Sequence, residues 1–153
     1  MDEKEFEIKY NMFSKILYRI IYGYTNDSFL SDDILQDVFI KYIKLNKKFN
    51  SIEDEKYYLI RLTINMCKTY YIKKKKEKEM LLKIQKDEKQ LPTNISFYIL
   101  DLPEKYKSVI ILFYYDNYDI NSISKILNIK VDAVKKRLER AKKMLKGMME
   151  NEV

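Results

Sequence analysis

Apolar residues recur along this 153-residue chain in steps of three and four, the spacing that lays one stripe down a helix. Phe6, Tyr10, Phe13, Leu17, Ile20 and Tyr24 form the first stripe, and Thr25-Asn26-Asp27-Ser28 breaks it. Ser31 or Asp32 suits the cap of a second helix, whose stripe is Ile34, Leu35, Val38, Phe39, Tyr42 and Ile43. The polar stretch from Asn46 to Glu55 reads as a loop or a short helix with frayed ends. A third helix carries Leu59, Leu62, Met66 and Tyr70 and runs into Lys73-Lys74-Lys75-Lys76. Residues 1–76 therefore predict an N-terminal helical bundle. Residues 77–94 mix charge with weak periodicity and end in Leu91-Pro92-Thr93-Asn94, which reads as a charged linker with room for helix at its start.

Residues 95–153 predict a second small domain. After an apolar turn from Ile95 to Leu100, Pro103 suits the first position of a helix, with Asp101 upstream as its cap. Val109, Ile110, Leu112 and Phe113 are its inward positions. Asp119 suits the N-cap of a short helix whose Ile123, Ile126 and Leu127 face the core. Asn128 holds the turn position where Gly is often used, because Asn tolerates the left-handed conformation better than most residues. A long basic helix from Val131 to Met148 follows, with Val134, Leu138, Ala141 and Leu145 inward. This is the order of a helix-turn-helix, whose second helix enters the major groove while the first braces it. The fold class is all-α, with the two small helical domains joined by the linker.

Composition narrows the chemistry. With 46% hydrophobic residues, two Gly and two Pro, there is material for helical cores. The net charge of +7 suits a polyanionic partner, although Lys-rich solvated faces are common and charge alone weighs little. The chain has no His and one Cys, which rules out Ser-His and Cys-His catalysis, His metal ligation, an internal disulfide and a cysteine zinc site. Cys67 lies in an apolar helical run and reads as a buried thiol. Asp33 and Asp37 share a helix face, as carboxylates that hold magnesium do. Such a site needs a second carboxylate cluster and a large apolar cavity, so an acidic face that docks a protein is the better reading. No catalytic residue, metal or cofactor is expected. The acidic N-terminus lacks the stretches of a signal peptide and no apolar run approaches ~20 residues, so a cytoplasmic protein with no membrane contact is expected.

Two segments suit nucleic acid. On the last helix, Asp132, Lys135, Lys136, Arg137, Glu139, Arg140, Lys142 and Lys143 point away from the stripe. Those near its start can reach base edges and those further along can reach phosphates. A basic surface helix would look the same by itself; the cap, turn and stripe together favour DNA binding. In the third helix, Tyr57, Tyr58, Asn65, Lys68, Tyr70 and Tyr71 interleave rings and charge as single-stranded nucleic acid requires, yet Tyr at helical spacing is more often core.

Taken in order, the segments resemble a bacterial sigma factor of the extracytoplasmic-function type, in the sigma-70 superfamily, over nearly the whole chain. Leu17-Tyr18-Arg19, Thr25, Asp27 and Asp33-Ile34-Leu35-Gln36-Asp37-Val38-Phe39 look like the family's second conserved region. Tyr58-Leu59-Ile60-Arg61-Leu62 and Asn65 are similar to its promoter-melting helix. Leu102-Pro103-Glu104-Lys105-Tyr106, Ile126-Leu127-Asn128-Ile129-Lys130-Val131 and Val134-Lys135-Lys136-Arg137-Leu138 look like its fourth region. Lys130 stands where the family usually has a capping Ser, and Ala133 where Thr is usual.

The resemblance implies a division of roles. Asp33, Gln36, Asp37 and Phe39 would dock the beta-prime clamp of core RNA polymerase, and the C-terminal domain would meet the beta flap. Tyr57, Tyr58, Arg61, Asn65 and Lys68 would open the minus-ten element, with the loop from Asn46 to Glu55 accepting a flipped base. Lys130, Asp132, Ala133, Lys135, Lys136, Arg137 and Arg140 would read the minus-thirty-five element as duplex. The expected function is to bind core polymerase and direct it to specific promoters, with promoter DNA and an anti-sigma factor as further partners. The alternative is a helix-turn-helix regulator that binds duplex DNA without polymerase.

Overall fold

The structure is a computed structural model, and it describes residues 1–82 and 95–151. Among the described residues there are seven α-helices and no strand. The first, α1 (Glu3–Thr25), starts where the Asp2 carboxylate accepts the Glu5 N–H at 2.8 Å. It ends at Asn26, which turns left-handed and so starts the next element at once. That early restart moves the cap of α2 (Ser28–Leu45) to Asp27, which accepts from the Leu30 N–H at 3.1 Å, in place of Ser31 or Asp32. Ser31 is buried, its hydroxyl donating to the Asp27 carbonyl at 2.7 Å. The apolar stripe of α2 ends at Tyr42. Ile43, expected inward, is 41% exposed, since each step of four residues turns a helical stripe by about 40° and Ile43 has passed its edge.

The third helix, α3 (Ile52–Leu82), begins inside the expected loop. The Ser51 hydroxyl accepts the Asp54 N–H at 3.0 Å, and Glu53, Asp54 and Glu55 place negative charge on the positive end of the helix. Its last turns run through residues 77–82, which the periodicity assigns to the start of the linker. Residues 83–94, the rest of that segment, lie outside the described residues.

The second unit holds α4 (Ile95–Leu100), a short helix where a turn was expected, then α5 (Glu104–Tyr115), α6 (Ile120–Leu127) and α7 (Val131–Glu150). Pro103 is itself the N-cap of α5, and Asp101 is exposed and does not cap it. The Pro103 carbonyl takes the Tyr106 and Lys107 N–H groups at 2.9 and 3.0 Å, and no side chain caps this helix. Asp119 does cap α6, accepting from the Ser122 N–H at 2.7 Å, and Asn128 closes it at φ 56°. The Ser124 hydroxyl donates to the Ile129 carbonyl and clamps the turn into α7. Lys130 caps α7 with its backbone alone.

Helices α1, α2 and α3 pack as one bundle around Phe13, Leu17, Ile20, Ile34, Val38 and Leu59; α4 to α7 pack as another around Ile99, Val109, Ile110, Ile123, Val134 and Leu138. The two bundles also touch, with α4 and α5 against α1 and α6 against α3. Cys67 is fully buried as a free thiol, and burial pushes its pKa far up. No described helix is long and apolar enough to cross a membrane.

Candidate nucleic-acid interface

The buried positions of α7 are Val134, Leu138, Ala141 and Leu145, as its periodicity predicts. That orientation exposes Lys130, Asp132, Lys135, Lys136 and Arg140, while Ala133 and Arg137 are half-buried along one edge. Arg140 and Lys105 lie beside the Tyr106 hydroxyl. The Lys142 ammonium sits over the Phe113 ring, 5.1 Å from its centroid. The result is a ridge of cations over the first turns of a helix held by α6, open along its length to a groove of duplex.

On α3, the positions 58, 61, 65 and 68 follow one another at helical spacing, with Arg61 and Asn65 exposed and Tyr58 and Lys68 half-buried. Tyr58 forms a tilted ring pair with Phe49 at 5.1 Å, and the Lys47 ammonium lies 4.4 Å from the Tyr58 centroid. These groups border a cavity of about 570 Å³, whose wall takes Lys48, Phe49 and Asn50 from the loop and Tyr57, Tyr58 and Arg61 from α3. Flat rings beside cations suit a nucleobase and its phosphate. The acidic side chains Glu53 and Asp54 also line it, leaving donor–acceptor variety for a base edge. Lys47, Phe49 and Lys125 were not among the residues singled out from sequence. The run Lys47-Lys48-Phe49 has the same interleaving of ring and charge that marks the third helix and could have flagged the loop.

Asp33, Gln36 and Asp37 are exposed together on α2. Phe39 does not join them. It is 3% exposed and packs among Phe6 at 5.9 Å, Tyr10 at 4.9 Å and Tyr42 at 6.3 Å, because its position lies on the inward stripe. The apolar residue on the acidic face is Ile40, 49% exposed and one turn beyond Gln36 and Asp37.

The seam between the bundles is polar as well as apolar. Tyr24 on α1 donates its hydroxyl to Glu104 on α5 at 2.9 Å, and the Lys107 ammonium lies 5.9 Å from the Tyr24 centroid. Burial raises the pKa of Glu104 although Tyr24, Lys107 and Lys68 all pull it back. Arg19 on α1 binds Asp116 at the end of α5, and burial likewise raises the Asp116 pKa against the pull of Arg19 and Lys56. Tyr118, pushed up to about 12 by burial and then by Asp116, shares the Lys56 ammonium with Tyr57 at 5.8 Å each. Tyr57 itself is raised by burial and by Glu53, with Ser122 of α6 acting the other way. The structure thus separates two neighbours in sequence: Tyr58 borders the open cavity, and Tyr57 also reaches the seam.

Comparison with known proteins gives these surfaces a context. Residues 10–77 match the family model for sigma-70 region 2 and residues 94–145 that for sigma-70 region 4, together most of the chain. The ECF RNA polymerase sigma factor SigM of Bacillus subtilis is 26% identical, over 91% of this chain and 91% of its own length. SigW of the same organism, also an ECF RNA polymerase sigma factor, is 25% identical over 97% of this chain and 90% of its own. Among solved structures, CnrH in complex with the cytosolic domain of CnrY shares the fold with a TM-score of 0.74 at 16% identity, covering 99% of this chain and 92% of that one. The sigma factor RpoE with the anti-sigma factor NepR, from Bartonella quintana, gives a TM-score of 0.63 at 14% identity, covering 96% of this chain and 98% of that one.

Proposed function

We propose a residue-level division of labour for this chain, which belongs to the sigma-70 family and is an RNA polymerase sigma factor of the extracytoplasmic-function type. Residues 1–76 engage core polymerase and the minus-ten element, and residues 95–153 engage the minus-thirty-five element, with residues 77–94 between them. The protein contributes binding energy and positioning, with no catalytic step of its own, and works where the polymerase is, in the cytoplasm.

The observation that carries the minus-ten assignment is the cavity beside Tyr58, where Phe49, Arg61 and Lys47 gather ring faces and positive charge around a space of about 570 Å³. A base leaving the duplex stacks there beside Tyr57 and Tyr58 while Arg61, Asn65 and Lys68 follow the strand along α3. At the other element, Lys135, Lys136 and Arg137 reach base edges and Lys130 and Arg140 reach phosphates, with Asp132 and Ala133 shaping the approach of the first turn. For polymerase docking, the acidic face of Asp33, Gln36 and Asp37 meets the clamp, and Ile40 supplies the desolvated centre that Phe39 does not. The C-terminal bundle meets the beta flap. The two solved neighbours carry CnrY and the anti-sigma factor NepR, which supports an anti-sigma factor as this chain's third partner.

Run-off transcription with purified core polymerase tests the reading. Addition of the protein should produce transcripts from a restricted set of promoters, and Asp37→Ala should require more protein for the same yield. Duplex binding without any association with core would favour the polymerase-independent regulator.

A further inference from the structure

Glu55 is an acid turned into the N-terminal bundle, 6% exposed, in the first turn of α3. Both its carboxylate oxygens are taken: Lys9 of α1 donates to Oε1, and the Tyr42 hydroxyl donates to Oε2 at 2.6 Å. Tyr42 stands in the last turn of α2 and is itself buried. The bond from Tyr42 to Glu55 therefore closes the chain across the loop at residues 46–51, and Lys9 fixes that closure to α1.

The loop so closed supplies one wall of the cavity. Lys47, Lys48, Phe49 and Asn50 come from the loop, while Tyr57 and Tyr58 come from α3. Glu55 does not line the cavity, although it lies in sequence between residues that do. The ring pair is divided between the walls, with Phe49 on the loop and Tyr58 on α3, 5.1 Å apart and tilted by 53°. Their spacing holds only while the loop keeps its place against α3. Asn46 leaves α2 left-handed at φ 44°, and the Ser51 carbonyl accepts the Glu55 N–H at 3.1 Å. Glu55 thus holds the far end of the loop by its backbone and the near end, through Tyr42, by its side chain.

Stability alone does not call for an acid at this position. Burying a carboxylate costs solvation, and apolar side chains of like volume often hold a bundle as well or better. What a buried and fully bonded acid supplies is one geometry in place of several near-equal packings.

We infer that Glu55 is a positioning residue for base capture: by binding Tyr42 and Lys9 together it sets the spacing of Phe49 and Tyr58, and so the fit of an unstacked base between the loop and α3. The inference rests on the reading of this cavity as the seat of a minus-ten base. Glu55 meets no DNA itself and acts through the loop.

The test uses holoenzyme formed from the full chain and core polymerase, with a fork-junction DNA copied from a promoter that run-off transcription identifies. Each base of the exposed minus-ten strand is removed in turn to leave an abasic site. Wild type should lose about tenfold in affinity at one position, that of the stacked base. The triple variant Lys9→Met, Tyr42→Phe, Glu55→Leu should keep a urea midpoint at or above the wild-type value. Its loss at that position should nevertheless shrink to about twofold or less. Its affinity for the abasic DNA should match that of wild type, since Arg61, Asn65 and Lys68 are untouched. Tyr42→Phe alone breaks the tie between α2 and α3, leaves Lys9 on the carboxylate, and should shrink the loss in the same direction. An acid with a structural role alone gives a different result, in which base discrimination follows stability and survives in the triple variant. A full tenfold loss retained by both variants overturns the inference and leaves the cavity assignment standing. No loss at any position in wild type overturns the cavity assignment, and the inference falls with it.

Discussion

Tyr42 donates its hydroxyl to Oε2 of Glu55 at 2.6 Å, so the buried end of α2 is tied to the first turn of α3. Lys9 of α1 holds the other oxygen of the same carboxylate. One buried acid therefore joins all three helices of the N-terminal bundle. Glu55→Ala removes the acceptor and leaves the Tyr42 hydroxyl buried without a partner, at a cost of roughly 2–3 kcal/mol. Urea denaturation followed by far-ultraviolet circular dichroism should show that loss, while Glu53→Ala, at an exposed position of the same turn, should change stability little.

Phe39 and Ile40 are adjacent and face opposite ways. Phe39→Ala should cost about 3–5 kcal/mol of stability by emptying the aromatic cluster with Phe6, Tyr10 and Tyr42. Ile40→Ala should change stability by no more than about 0.5 kcal/mol and instead weaken association with core polymerase, measured by titration with labelled protein. Equal affinity for core in Ile40→Ala and wild type would remove Ile40 from the docking face.

Asn128 is left-handed at the end of α6, and its backbone N–H returns to the Ser124 carbonyl. Asn128→Gly should leave the melting temperature close to wild type. Asn128→Val should lose roughly 1–2 kcal/mol, because a β-branched side chain clashes in that conformation. Duplex binding should fall in parallel, since the turn sets the angle of α7.

Position along α7 separates specificity from affinity. Lys135→Ala, near the helix start, should reduce discrimination between a promoter duplex and a scrambled one by about tenfold. Lys143→Ala, two turns on and exposed, should weaken both duplexes alike and lower the slope of log affinity against log salt by about 0.9. Fluorescence anisotropy over a salt series reads both effects.

Glu104 and Asp116 give the seam a pH dependence. Burial raises both pKa values in the folded chain, so the folded state holds these protons more tightly than the unfolded chain does. Stability from these groups therefore falls as pH rises from the ordinary carboxylate range toward neutrality. Asp119, shifted the other way by the Ser122 N–H, acts only at lower pH. The groups facing Glu104 are Tyr24, Lys107 and Lys68, and those facing Asp116 are Arg19, Lys56 and Tyr118. The urea midpoint of wild type should be higher at pH 5 than at pH 7, and Glu104→Gln should flatten that difference.

Helix faces were written in the chain itself. The stripe Val134, Leu138, Ala141 and Leu145, the cap at Asp119 and the turn at Asn128 all depend on neighbours within a few residues, and such local preferences act before any tertiary contact forms. The same holds for Asp33, Gln36 and Asp37, whose common face follows from helical spacing alone. Starts and ends were harder. Asp27 caps α2 in place of Ser31 or Asp32, and Ser51 opens α3 inside a polar stretch, because several residues there could cap and only the packing of α1 against α2 and α3 selects one. Spacing puts Phe39 on the inward stripe while the resemblance put it on the docking face, and the ring cluster around it agrees with the spacing. The partnership of Arg19 with Asp116, the room kept by Gly23 for Ile111 and Tyr115, and the arrival of Lys125 at the cavity beside Tyr58 could not be read from the chain at all. These contacts join residues far apart in sequence, and their energy depends on how two separately formed bundles meet, which no periodicity within either one encodes.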